Sequence, residues 1–146
     1  MSSTANLPAP SEKLSEKSKA AQARSHSPYS GFKVGAAIEL EDGQIFEGCN
    51  VENSSYGGTV CAERTAIFSA VAKLGGGIRL KQVVVYTEAS PPWPPCGLCR
   101  QVIAEFGSAK GQNVLIHAIN HNGERVSHTL QSLFPNAFTP DHLKKG

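Results

Sequence analysis

Apolar side chains recur at positions 62, 66, 67, 70, 71 and 74 of CAERTAIFSAVAKLGGG. That is the spacing of a helix that buries one face, and the glycine run marks its end. KQVVVYT follows, a nearly unbroken β-branched run of the kind found in strands covered on both sides. Upstream, FKVGAAIEL and QIFEGCN flank Glu41-Asp42-Gly43, and an Asp-Gly turn between two β-rich segments predicts a hairpin with strands near 32–40 and 44–49. Segment 11–24, SEKLSEKSKAAQAR, consists of good helix formers behind a candidate cap at Ser11, with Leu14 as its one large apolar residue. The prolines of SPPWPPCGLC exclude regular structure, after which RQVIAEFG resumes a helical pattern with Val102, Ile103 and Phe106 inward. NVLIHAIN and GERVSHTL predict two further strands around His121-Asn122-Gly123, and LQSLF one helical turn.

The order helix, hairpin, helix, strand, helix, strand, strand, short helix is mixed α/β. A sheet of about five strands with helices on both faces fits it, because a strand–helix–strand crossover normally yields adjacent parallel strands with the helix laid over them. Residues 1–10, rich in small residues and proline, read as a mobile arm, and 11–146 as a single domain without internal repeats.

Charge narrows the partners. Fourteen Lys and Arg against 12 Asp and Glu leave +2, and the basic residues are dispersed apart from Lys144-Lys145. They form no aromatic-interleaved basic stripe, so no nucleic-acid partner is expected. Apolar runs are far shorter than the roughly 20 residues of a membrane span, and MSSTANLPAPSEKLSEKSKA has no apolar signal core, which leads to the expectation of a cytoplasmic protein with no membrane partner. In that compartment the cysteines at 49, 61, 96 and 99 stay reduced and available to a metal.

A Cys-x-x-Cys pair alone can be redox-active, structural or accidental. Here Cys96-Gly97-Leu98-Cys99 opens one helix and Cys61-Ala62-Glu63 another. Free N–H groups at helix starts favour thiolate over thiol, and three sulfur ligands suit zinc while leaving a fourth tetrahedral position for water. Three thiolates leave a divalent ion at net minus one, which hinders deprotonation of that water. Arg64, three residues beyond Cys61, has the spacing to return its guanidinium to a ligand sulfur; the alternative is an ordinary surface or core-rim arginine. Glu63 is open to three readings: proton carrier, first-turn surface carboxylate, or fourth ligand of a closed structural site. Cys49 shares a strand face with Ile45 and reads as core rather than as a fourth ligand. The five histidines are scattered away from the cysteine pairs and read as surface or packing residues.

SPYSGFKVGAA, GCNVENSSYGG, VCAERTAI, PCGLCRQV and LFPNAFTPDHL together resemble the cytidine deaminase family in its short homotetrameric, zinc-dependent form, over about residues 27–143. The resemblance implies a three-layer α/β/α cytidine deaminase-like fold with one zinc per subunit on Cys61, Cys96 and Cys99. It implies hydrolysis of cytidine and 2'-deoxycytidine to uridine and 2'-deoxyuridine in pyrimidine salvage, with Glu63 protonating N3, accepting the proton of the attacking water and delivering one to the departing ammonia. It places Asn50 and Glu52 on the sugar hydroxyls, Tyr56 beside the sugar, Phe32 against the base, and the backbone of Ala62 at its exocyclic edge. Phe32 also has the simpler reading of a core residue. Phe138, between Pro135 and Pro140, would enter the nucleoside pocket of a neighbouring subunit; an exposed tail within its own chain is the plainer alternative. One stretch departs from the family pattern: Pro94 stands where Ser usually precedes the Pro-Cys-x-x-Cys, with Trp93 beside it. The competing classes are a zinc deaminase of another aminated heterocycle or nucleoside antibiotic, an editing enzyme with a basic channel, and a structural zinc module.

Overall fold

The computed structural model describes residues 7–107 and 113–143. Helix α1 (Glu12–Gln22) starts where expected, with Ser11 Oγ accepting from the Leu14 N–H at 3.2 Å, and it buries a narrow stripe of Leu14, Ser18 and Ala21. Strands β1 (Gly35–Leu40) and β2 (Ile45–Cys49) form the hairpin. Gly43 at its turn has φ 92°, a left-handed backbone that glycine adopts without steric cost. Helix α2 (Ala62–Leu74), β3 (Leu80–Thr87), α3 (Gly97–Glu105), β4 (Leu115–Asn120), β5 (Arg125–Thr129) and α4 (Leu130–Leu133) follow, with single 3-10 turns at Tyr56–Gly58 and Pro140–Leu143.

The five strands form one sheet in the order β2-β1-β3-β4-β5, with β3 and β4 parallel and every other neighbouring pair antiparallel. The parallel pair is the one joined through a helix, as a crossover requires. Two glycines reveal the layers. A Cβ on Gly35 would lie 1.9 Å from the Ser18 carbonyl oxygen of α1, and one on Gly48 would lie 2.4 Å from the Ala66 nitrogen of α2. Gly35 pairs with Cys49, so Gly48 points to the opposite face, and the sheet lies between α1 and α2 in a three-layer α/β/α arrangement. The middle of KQVVVYT divides accordingly: Val83 and Val85 join Ile38, Ile67 and Ile103 on the α2 side, while Val84 meets Leu14 and Ala37 beneath α1.

Two boundaries moved. Strand β1 begins at Gly35 rather than 32 because the Asn50 amide holds the preceding segment in a loop: Nδ2 donates to the Phe32 carbonyl at 2.8 Å and Oδ1 accepts from the Val34 N–H at 2.9 Å. Helix α2 stops at Leu74 as the glycine run predicts, before Gly75 with φ 87°. Helix α3 starts at Gly97, so the second cysteine pair straddles its first turn. Of the arm expected at 1–10, residues 1–6 lie outside the described residues, as does Lys144-Lys145, and the Pro8 carbonyl accepts from Arg125 Nη1 at 3.3 Å. No helix among the described residues is long and apolar enough to cross a membrane.

A chain of polar side chains crosses the α1 face of the sheet. Arg125 Nη1 donates to Ser127 Oγ at 2.7 Å, Ser127 Oγ lies 2.7 Å from His117 Nδ1, and His117 Nε2 lies 3.2 Å from Gln82 Oε1. Gln82 in turn donates to Glu39 Oε1 at 2.7 Å. An amide oxygen only accepts, so His117 carries its proton on Nε2 and takes the serine hydroxyl on Nδ1. His117 is fully buried, and burial pushes its pKa down to about 4 with Arg125 adding to the effect. It is a packing residue, as read from the sequence.

Candidate active site

Helices α2 and α3 both begin on a cysteine. Cys61 and Cys96 precede the first turns with extended backbone, and neither side chain caps the free N–H groups of its helix. The helix ends therefore direct unspent positive potential at the thiols. With Cys99 one turn into α3, the three Sγ atoms lie within 4.8 Å of one another, and those of Cys61 and Cys96 are 3.7 Å apart. Tetrahedral zinc with its usual zinc–sulfur bond length places sulfurs about 3.8 Å apart, so the spacing fits the ion. Cys49 is not in the cluster: it sits opposite Gly35 on the face that carries α1, with the sheet between it and both helix starts.

The charge around the sulfurs also suits a metal. Hydrogen bonding from Cys99 pulls the Cys61 thiol down to about 5 against its burial, and Arg64 helps. Cys99 is pushed up by that same bond and by burial. One thiolate is thus stable by itself, and the remaining protons must leave as a metal enters. Arg64 Nη2 donates to Cys61 Sγ at 3.4 Å, and although burial opposes its charge, bonding to Cys61 and Cys99 keeps the guanidinium firmly protonated. Its Nε is buried with no hydrogen-bond partner among the described residues. Neutral thiols would compensate this cation poorly, whereas three thiolates around a divalent ion offer the net negative charge it requires.

Glu63 is 4% exposed, and its pKa is pushed up to about 7, first by burial and then by the neighbouring Cys61 charge. It lies with Cys61, Ala62 and Cys96 in the wall of a cavity of about 200 Å³, which Phe32 and Asn50 also line. Strand ends deliver these groups, since Gly35 of β1 pairs with Cys49 of β2 and Tyr86 of β3 at the same end of the sheet. Asn50 reaches the cavity with most of its amide already committed: besides its two bonds to the 32–34 loop, Oδ1 accepts from Ser25 Oγ.

Glu52 and Tyr56 line an adjoining depression of about 360 Å³ with Tyr29 and Ser30, and Thr59 belongs to both hollows. Glu52 Oε1 accepts from the Tyr29 and Ser30 N–H groups at 3.0 and 3.1 Å, and Oε2 from Ser30 Oγ; the Ser30 contacts hold its pKa below the usual range. Phe138 reaches neither hollow. Its ring stacks on His142 at 5.2 Å, its carbonyl accepts from Gln101 Nε2 at 2.8 Å, and it is 53% exposed. Sequence reasoning missed Thr59 and Thr87, which carry no distinguishing pattern. It noted Trp93 without placing it; the indole lines the cavity, stacked on Phe32.

Three converging thiols with room for one more ligand, beside a buried carboxylate that titrates near neutrality, make up the equipment of a zinc-dependent hydrolytic deaminase. The family model for the cytidine and deoxycytidylate deaminase zinc-binding region matches residues 9–118. The cytidine deaminase of Sporosarcina psychrophila is 44% identical over 133 residues, covering 90% of this chain and 93% of its own. That of Mycobacterium tuberculosis H37Rv is 41% identical over 126 residues, 86% of each chain. The crystal structure of cytidine deaminase from Burkholderia pseudomallei superposes with a TM-score of 0.77 at 43% identity, over 86% of this chain and 97% of that one. The chain belongs to the cytidine deaminase family.

Proposed function

We propose that this protein hydrolyses free cytidine and 2'-deoxycytidine to uridine and 2'-deoxyuridine, consuming one water and releasing one ammonia, in pyrimidine salvage. The observation that carries the proposal is Glu63, buried beside the three thiols in the cavity wall with its proton affinity raised to the neutral range. Cys61, Cys96 and Cys99 hold one zinc per subunit, which when bound supplies the Lewis acidity that makes water nucleophilic near neutral pH. Glu63 donates a proton to N3 of cytosine as water adds at C4, takes up the proton that water loses, and passes one to the departing amine. Donation to N3 matters most as C4 becomes tetrahedral and electron density moves onto the ring nitrogen, so it favours the transition state over the bound substrate. Arg64 offsets the thiolate charge.

Phe32 packs against the base, and the backbone of Ala62 meets its exocyclic edge. Glu52 and Tyr56 face the ribose from the adjoining depression. Glu52 Oε2 retains an acceptor site after its bond to Ser30, and Asn50 retains the second hydrogen of its amide nitrogen, which is what a sugar diol requires. The net charge of +2 supports a free nucleoside rather than a polynucleotide as substrate, and four free thiols support a reducing, cytoplasmic setting. We further propose a homotetramer in which Phe138 completes a neighbour's site, supported by its exposed ring and its absence from the cavity of its own chain. Ultraviolet monitoring of cytidine with the zinc-loaded protein tests the reaction: a falling cytidine absorbance with equimolar ammonia is expected, and an unchanged spectrum alongside stoichiometric zinc would refute it.

A further inference from the structure

The loop between β3 and α3 is held at both ends. Near its start, Asn120 Nδ2 donates to the Ala89 carbonyl at 2.8 Å and Ser90 Oγ to Glu124 Oε1 at 2.5 Å. At its other end the Pro95 carbonyl accepts from Arg100 Nε at 2.8 Å, while Arg100 Nη1 reaches the Leu133 carbonyl at 2.7 Å. Pro92 and Pro95 are buried, and between these anchors Trp93 and Pro94 project. Proline rings restrict the backbone on either side, so the indole is presented at little entropic cost.

Trp93 is 56% exposed, an unusual state for the largest apolar side chain unless one of its faces has work to do. Its ring stacks on Phe32 with centroids 4.8 Å apart and planes 20° from parallel, and both rings line the cavity that contains Glu63 and Cys96. Phe32 comes from the loop after α1, whereas Trp93 lies three residues before a metal-ligating cysteine. The stack therefore ties the base-facing wall to the segment that carries the metal site.

We propose that Trp93 is a specificity-determining residue for the nucleobase: its indole, stacked on the Phe32 ring, forms with it an apolar wall of the cavity that sets how tightly a flat heterocycle is held relative to the metal. This rests on the nucleoside-deaminase proposal for the same cavity. The stack acts in binding more than in proton transfer, because Trp93 offers π surface and an indole N–H that donates hydrogen bonds but carries no proton to or from substrate near neutral pH.

Trp93→Ala should raise KM for cytidine about tenfold while kcat stays within about twofold and zinc content is unchanged, and Trp93→Phe, which keeps a ring to stack, should remain within about threefold of wild type. Trp93 is the single tryptophan of the chain, so its emission reports on the stack directly. Titrating zinc-loaded Glu63→Gln protein with cytidine should change that emission saturably. Should Trp93→Ala lose zinc or fold poorly, Trp93→Leu takes its place, with the same rise in KM expected against a normal Trp93→Phe. An active wild type whose KM is unmoved by loss of the ring overturns the inference, as does emission that stays constant while equilibrium dialysis shows cytidine bound. A zinc-loaded wild type that fails to deaminate cytidine refutes the proposed reaction instead, and the emission titration then decides the role of Trp93 alone.

Discussion

Glu63 is the one buried carboxylate among the described residues, and its burial has a chemical return. A carboxylate withdrawn from water holds its proton more tightly, and here the affinity rises to where donation and uptake are balanced near neutral pH. Replacing Glu63 with Gln keeps shape and hydrogen bonding but removes the titration, so zinc content and fold should persist while turnover falls about 10²–10⁴-fold. Zinc-to-protein ratios with steady-state rates check this, and zinc loss like that of a ligand variant would make Glu63 a ligand. The cysteines divide by face of the sheet. Cys49→Ser should retain one zinc per chain, whereas serine at 61, 96 or 99 should weaken retention during dialysis against a chelator. At this scale the type and spacing of the sulfur donors were legible, because helix starts and their free N–H groups are local properties. The commitment of the Asn50 amide was not, since its partners Phe32, Val34 and Ser25 reach it only through the fold.

The placement of α2 depends on a side chain that is missing. At Gly48 any Cβ would press on the α2 backbone, 2.4 Å from the Ala66 nitrogen and 2.9 Å from the Ala62 carbonyl oxygen, and neither atom can rotate away. Gly48→Ala should therefore destabilise the protein by about 1–3 kcal/mol or more and loosen zinc, because the same helix begins on Cys61; Gly76→Ala, with nothing within 4 Å, should do neither. Denaturant unfolding and zinc retention of the two variants provide the comparison. The sheet also contains a pH-sensitive element. His117 is neutral and fully buried with a folded pKa of about 4, below its ordinary 6.5, so the unfolded chain binds a proton that the folded one refuses. Stability fully present above pH 6.5 should decline as pH falls toward 4, by an amount on the order of 2–3 kcal/mol from this residue. His117→Gln should flatten that part of the profile, and a wild-type-minus-variant difference that does not vary with pH would reject the assignment. Strand KQVVVYT was legible as doubly buried from its composition, but that Val84 meets α1 while its neighbours meet α2 depends on register.

For the molecule as a whole, Phe138 poses the question of assembly. Its ring is half exposed and stacked on His142, its carbonyl is held by Gln101, and it does not line the cavity of its own chain. If it serves a neighbour, chains carrying Glu63→Gln and chains carrying Phe138→Ala, each nearly inactive, should regain activity when dissociated and reassembled together, since some mixed sites then hold both residues. Confirmed subunit mixing without recovery would assign Phe138 to its own chain. The sequence by itself determined the helices and strands to within a few residues, the hairpin, and which cysteines stand at helix starts. These follow from periodicity, turn chemistry and spacing, which act between residues close along the chain. Only the tertiary structure decided that Cys61 meets Cys96 and Cys99, that Cys49 is screened from them by the sheet, and that Trp93 stacks on Phe32. Such contacts join segments far apart in sequence, and they exist because strand order, the parallel β3–β4 crossover and the close approach at Gly48 bring both helix starts to one end of the sheet.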